Sequence, residues 1–78
     1  MSDPILVDAR GHRCPVPTLR LRRALEAAGA GAVVRLLADD PMARIDVPHF
    51  ASEKGYALID SGDLSPSPGL FFVVSRPV

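Results

Sequence analysis

The chain has 78 residues, 47% of them hydrophobic and 23% charged, which describes one small globular domain over 1–78 and excludes a disordered chain. Nine basic and nine acidic side chains leave no net charge, so no bulk positive excess exists to hold nucleic acid, and direct binding of it is not expected. A single cysteine excludes an internal disulfide and points to a reducing, cytoplasmic setting, and no apolar run is long enough to span a bilayer.

The first stretch, MSDPILVDAR, carries an acid where a signal peptide would carry basic residues. Within it Ile5–Val7 is a short branched apolar run that reads as a first strand. Asp8–Arg13 follows as a loop in which Gly11 supplies a backbone conformation closed to other residues. A helix is expected from Pro15 to about Ala28, stopped by Gly29. On its wheel Pro17, Leu21, Ala24, Leu25 and Ala28 share the face to be buried. Leu19 points almost the opposite way and Val16 sideways, so two apolar side chains stand near the cysteine with no core to enter.

Ala32–Ala38 reads AVVRLLA, apolar almost throughout, and is expected to be a central strand. Asp39 and Asp40 before Pro41 read as caps for a turn. Pro48 argues against one unkinked helix from Pro41 to Lys54, so the second helix is expected to restart with Asp46 as its cap and to end at Gly55. Tyr56–Asp60 and Leu70–Ser75 are the last two strands, joined by the long hairpin loop SGDLSPSPG. The order βαβαββ gives a two-layer α/β sandwich, a four-stranded mixed sheet with two helices on one face. Apolar residues on both sides of these strands leave part of the open face as a contact surface, although a monomer is expected.

Charge is segregated along the chain. Arg10, Arg13, Arg20, Arg22 and Arg23 lie in one segment with no acid between them, while Asp39, Asp40, Asp46, Glu53, Asp60 and Asp63 lie in the later half. The expectation is a dipolar surface with a basic region around the cysteine, either a solvated helix face or a docking surface for an acidic partner or RNA.

Cys14 sits at the expected N-terminus of the first helix, where the helix dipole, Arg10, Arg13 and His12 all favour a thiolate. Pro15 and Pro17 remove two of the first-turn N–H groups that would hydrogen-bond that thiolate. The balance predicts an exposed, rigidly presented and moderately activated sulfur. No second cysteine is present to resolve a dithiol cycle, and no third group is evident to orient a His12–Cys14 catalytic pair. One cysteine with two histidines is too small a set for a metal, and no cofactor is implied. Asp8 is read as holding the loop through the backbone or Arg10, and Gly11 as a conformational requirement.

The stretch VDARGHRCPVP resembles the N-terminal signature of the TusA/SirA/YedF-like sulfur carriers, with Asp8, Gly11, Cys14, Pro15 and Pro17 in place. LADDPMARIDVPHF is similar to that family's second block, an Asp-Asp-Pro turn before an Asp-aliphatic-Pro helix start. The resemblance spans nearly the whole chain and agrees with the strand and helix order. It implies that Cys14 carries sulfur as a persulfide, loaded by a cysteine desulfurase or other sulfur donor protein and unloaded by an acceptor sulfurtransferase. In the TusA branch the relay ends in thiolation of tRNA uridine; other members serve sulfur oxidation or cofactor synthesis. Two positions depart from the pattern: Val16 stands where the TusA branch has glutamate, and His12 where an aliphatic residue is usual. On this reading Asp8, Gly11, His12, Arg13, Pro15 and Pro17 support the sulfur, and Val16 and Leu19 form an apolar rim for partners steered by Arg20 and Arg23. The rival from another class is a regulatory or RNA-binding module using the arginine-rich helix, against which only Phe50, Tyr56, Phe71 and Phe72 are available to stack on bases. A thiol-redox partner acting through mixed disulfides is a third.

Overall fold

A computed structural model describes residues 3–78 and contains β1 (Ile5–Asp8), α1 (Val16–Ala28), β2 (Val33–Ala38), α2 (Ala43–Lys54), β3 (Ala57–Asp63) and β4 (Leu70–Ser75). The four strands form one mixed sheet in the order β1-β2-β4-β3. β1 pairs parallel to β2, β2 antiparallel to β4, and β4 antiparallel to β3. The apolar strands β2 and β4 thus take the centre, as their composition demands, and both outer strands are edges.

Alternation along the strands sends Val34, Leu36, Ala38, Leu70, Phe72 and Val74 to the helix side, where all are buried. α1 answers with Pro17, Leu21 and Leu25, and α2 with Ala43, Val47 and Ala51, each a row at spacing four. Fully burying side chains of the size of Leu21, Leu25 and Leu36 stabilises the fold by about 1.5–3 kcal/mol apiece. Among the described residues no helix is long and apolar enough to cross a membrane.

Two boundaries differ by several residues from the sequence expectation. α2 begins at Ala43 and passes through Pro48, because the Asp40–Pro41 turn winds directly into it. Ala43, Arg44 and Ile45 donate to the carbonyls of Asp40, Pro41 and Met42 at 3.0–3.1 Å, so the first turn is nucleated three residues before Asp46. Asp46 is therefore in the helix body and caps nothing. β3 runs to Asp63, beyond the expected Asp60, since Ser61, Gly62 and Asp63 find partners on Phe72, Phe71 and Leu70. Ile59 forms a bulge there, and the remaining loop closes with Leu64 N–H donating to Gly69 O at 2.9 Å. At the C-terminal end of α1, Arg76 donates to the carbonyls of Leu25 and Glu26 at 3.2 and 3.5 Å, a basic group where the helix dipole favours one.

Candidate functional site

The loop between β1 and α1 ends on Cys14, and nearly every backbone donor in it has a fixed partner. Ala9 N–H extends the parallel ladder to Leu37 O at 2.8 Å, and His12 N–H closes a turn on Ala9 O at 3.3 Å. Arg10 N–H donates to Asp8 Oδ1 at 3.1 Å, while its guanidinium grips both oxygens of the same carboxylate at 2.9 and 2.8 Å. Gly11 N–H lies 3.0 Å from each oxygen of Asp39, and Cys14 N–H lies 2.9 Å from Asp40 Oδ2. Gly11 has φ +87°, a left-handed conformation that an L side chain resists, so glycine is required here by backbone alone.

Asp39 and Asp40 are thus more than caps for their own turn. Asp40 does cap it, accepting Met42 N–H at 2.9 Å through Oδ1, but its other oxygen reaches back across 26 residues to the cysteine. These two bonds hold its carboxyl below the usual range. Asp8, bonded chiefly by the Arg10 side chain, is pulled down to about 2.

Cys14 is only partly exposed and packs against the core, which corrects the expectation of a freely projecting sulfur. Its pKa is pushed up to about 11, first by burial, then by the carboxylate of Asp46, with Asp40 adding to the repulsion of a thiolate. The predicted activation fails for two physical reasons. Of the three residues after the sulfur, Pro15 and Pro17 have no N–H, and Val16 N–H is spent on Arg13 O at 3.0 Å. The helix tip therefore offers the sulfur none of those three donors. The expected basic surroundings are also neutralised, because Asp39, Asp40 and Asp46 from the later half fold against the arginine segment. Thr18, four residues beyond Cys14, has a buried hydroxyl with no hydrogen-bond partner.

The prolines have distinct positions. Pro15 is the N-cap residue of α1 and exposed, and its bond to Cys14 is cis; Pro17 is fully buried in the core. Val16 and Leu19 remain 38% and 50% exposed, at helical spacing three on one side of the sulfur. Arg20 is less free than a steering charge should be, since it donates to Asp8 O at 2.8 Å and ties α1 to the end of β1. Arg23 is exposed, and Arg22 pairs with Glu26 at 3.0 Å. His12 and Arg13 line a shallow cleft of about 360 Å³ with Gly11, Asp39, Asp40 and Pro41. A second groove of about 270 Å³ lies on the other flank, lined by Pro15, Thr18, Asp46, His49, Phe50 and Glu53. Met42 and Ile45, 50% and 64% exposed at the start of α2, add apolar surface near the turn that Asp40 ties to Cys14.

Sequence reasoning overlooked Thr18, Asp46, Met42 and Ile45. Thr18 was legible from its spacing of four to Cys14 on a helix. The others depend on how α2 is placed. Among the described residues, no three His, Cys, Asp or Glu side chains converge to hold a metal ion.

Comparison with known proteins places this geometry in context. The family model described as Sulfurtransferase TusA matches residues 5–73. A protein named Sulfur carrier protein TusA from Allochromatium vinosum is 38% identical over 55 residues, covering 70% of this chain and 72% of its own. One of the same name from Pseudomonas putida is 33% identical over 54 residues, covering 69% and 68%. The crystal structure of a SirA-like protein from Desulfitobacterium hafniense superposes with a TM-score of 0.78 at 30% identity, covering 95% of this chain and 99% of the other.

Proposed function

The chain belongs to the TusA sulfurtransferase family of sulfur carriers, and from that premise we propose that it takes up sulfur as a persulfide on Cys14 and passes it to an acceptor protein. The observation that supports this best is the loop itself. Asp8, Asp39 and Asp40 hold the segment from Arg10 to Cys14 by side-chain to backbone bonds and deliver one cysteine to the tip of α1, flanked by open grooves. A carrier needs a sulfur held in one place while two different partners come to it, and it needs no second thiol within the chain.

The donor on this reading is a cysteine desulfurase or another protein bearing a persulfide, and the acceptor is a second sulfurtransferase. The setting is a reducing compartment such as the cytoplasm. Val16 in place of glutamate sets the chain apart from the tRNA-thiolating branch. The arginine-rich helix supports an RNA-binding role less well than its sequence suggests, because Arg10 and Arg22 are ion-paired and Arg20 donates to backbone. To test the reading, the protein is incubated with a cysteine desulfurase and cysteine, and its intact mass is measured. One added sulfur atom is expected, absent in Cys14→Ser and removed by reductant; no adduct with any desulfurase would refute it.

A further inference from the structure

The groove of about 270 Å³ that begins at Pro15 has walls from two helices. Pro15 and Thr18 come from the start of α1. Asp46, His49, Phe50 and Glu53 come from α2, where spacings of three, four and seven set them on one side of the helix. The lining combines apolar surface with two carboxylates, and no arginine or lysine is among the residues that form it. Two arginines of α1 are held elsewhere, Arg20 on Asp8 O and Arg22 on Glu26. Asp46 is half-buried and forms no ion pair among the described residues. Glu53 pairs with His49, an exposed contact one helical turn apart of the kind that contributes little and opens readily. Phe50 stands edge-on to Tyr56 with ring centres 5.8 Å apart, so its ring is a fixed part of the wall. Thr18 Oγ1, buried in the opposite wall, has no partner and leaves an acceptor that no protein group uses.

We propose that this groove receives an arginine side chain of the protein that loads sulfur onto Cys14. The proposal rests on the carrier reading. An arginine matches the lining group for group. Pro15 and Phe50 cover its methylene stem, its planar head stacks on an aromatic ring, and its donors meet the carboxylates of Asp46 and Glu53. Lysine brings one compact charge and no plane, so it fills the same space less well. Nucleic acid is turned away, because two carboxylates face any phosphate that approaches.

The place of the groove assigns the occupant to the donor. Pro15 is bonded to Cys14, so an arginine seated here fixes the segment around it beside the cysteine. Cys14 is only partly exposed and packs against the core. A donor must bring its own sulfur in close to that thiol, whereas an acceptor attacks an outer sulfur that stands about 2 Å further out. An anchor next to the cysteine thus serves loading more than unloading.

Two measurements test this. In the first, the isotope-labelled chain is titrated with N-acetyl-arginine amide, and separately with N-acetyl-lysine amide, while its backbone amide resonances are followed. The arginine amide should shift Thr18 and the stretch from Asp46 to Glu53 along one saturating curve, and the lysine amide should bind more weakly. Combining Asp46→Asn with Glu53→Gln should weaken the arginine curve on the order of tenfold. Asp3→Asn, a carboxylate at the other end of α1, should leave it unchanged. Shifts spread over every carboxylate of the chain, no loss in the double variant, or equal binding of the two amides would overturn the site.

In the second, sulfur uptake from a persulfidated cysteine desulfurase is followed in wild type, Glu53→Gln and Glu53→Lys. The second-order constant of Glu53→Lys should fall on the order of tenfold at low salt with the maximal rate held, and the difference should shrink as salt is added. Glu53→Gln should lie between. An unchanged second-order constant in Glu53→Lys, or a maximal rate that falls with it in both variants, overturns the docking. So does self-association of the wild-type chain that Glu53→Lys abolishes, since a second copy would then be the occupant. Should the wild-type chain take up no sulfur, the carrier reading falls, and the titration alone still decides whether the groove takes arginine.

Discussion

Asp8 and Asp40 both hold the loop that ends on Cys14, from two different segments of the chain, and their legibility differed for a plain reason. Asp8 acts on Arg10, two residues away, and an aspartate bonding the backbone two residues on is a local habit that sequence displays. Asp40 and Asp39 act on Cys14 and Gly11 over separations of 26 and 28 residues, and only the parallel pairing of β1 with β2 brings them there. The same distance hid the raised pKa of Cys14, since the residues near it in sequence are basic and those near it in space are acidic. Asp8 also yields a pH prediction. Its pKa falls from 3.8 to about 2 in the fold, so its ionised form is the one favoured. The stability it contributes is complete above pH 3.8 and drains away as pH falls toward 2. Thermal unfolding of wild type and Asp8→Asn should therefore differ at pH 6 and converge near pH 2. A difference that survives at pH 2 would mean that the carboxylate's charge is not what holds the loop.

At the level of elements, the strand and helix order was readable because each periodicity is clean. β2 and β4 alternate buried and half-buried along their whole length, and α1 buries Pro17, Leu21 and Leu25 at spacing four. The failures fell where local chemistry gave the wrong stop signal. Pro48 looked like a helix boundary, but a turn already wound by three short-range bonds absorbs it. Ser61-Gly62-Asp63 looked like loop, but β4 is six residues long and holds a partner strand over its full length. The helix wheel makes a paired prediction. Leu21→Ala opens a cavity at a fully buried position and should cost about 2–5 kcal/mol in denaturant unfolding. Leu19→Ala, at a half-exposed position near the sulfur, should change stability by no more than about 0.5 kcal/mol. If the carrier reading holds, Leu19→Ala should nevertheless slow sulfur uptake, because that side chain is there for partners. Equal stability losses at the two positions would mean that α1 is rotated from the orientation described.

For the molecule as a whole, the sheet has one covered and one open face, and the open one carries Leu6, Val33, Leu37, Phe71 and Val73. Only Leu6, on the edge strand, is more than half exposed, at 61%, while the others are half-buried by their neighbours. Arg35 sits among them with its guanidinium carbon 4.7 Å from the centre of the Phe71 ring. That contact is a cation–π pair worth about 0.5–1 kcal/mol at an exposed site. Its larger effect is on solubility, since the arginine stem covers apolar surface while its head keeps a charge in the middle of the patch. Arg35→Ala removes both the cover and the charge. Its fold should lose no more than about 1 kcal/mol, the upper value for the pair, while sedimentation velocity should show association that grows with concentration. Arg35→Lys should behave much more like wild type in sedimentation, because it keeps a charge over the strand even where the planar stacking is lost. If Arg35→Ala stays monomeric at every concentration reached by the wild-type chain, the half-buried residues of this face are covered well enough by one another and the arginine serves only the ring beneath it.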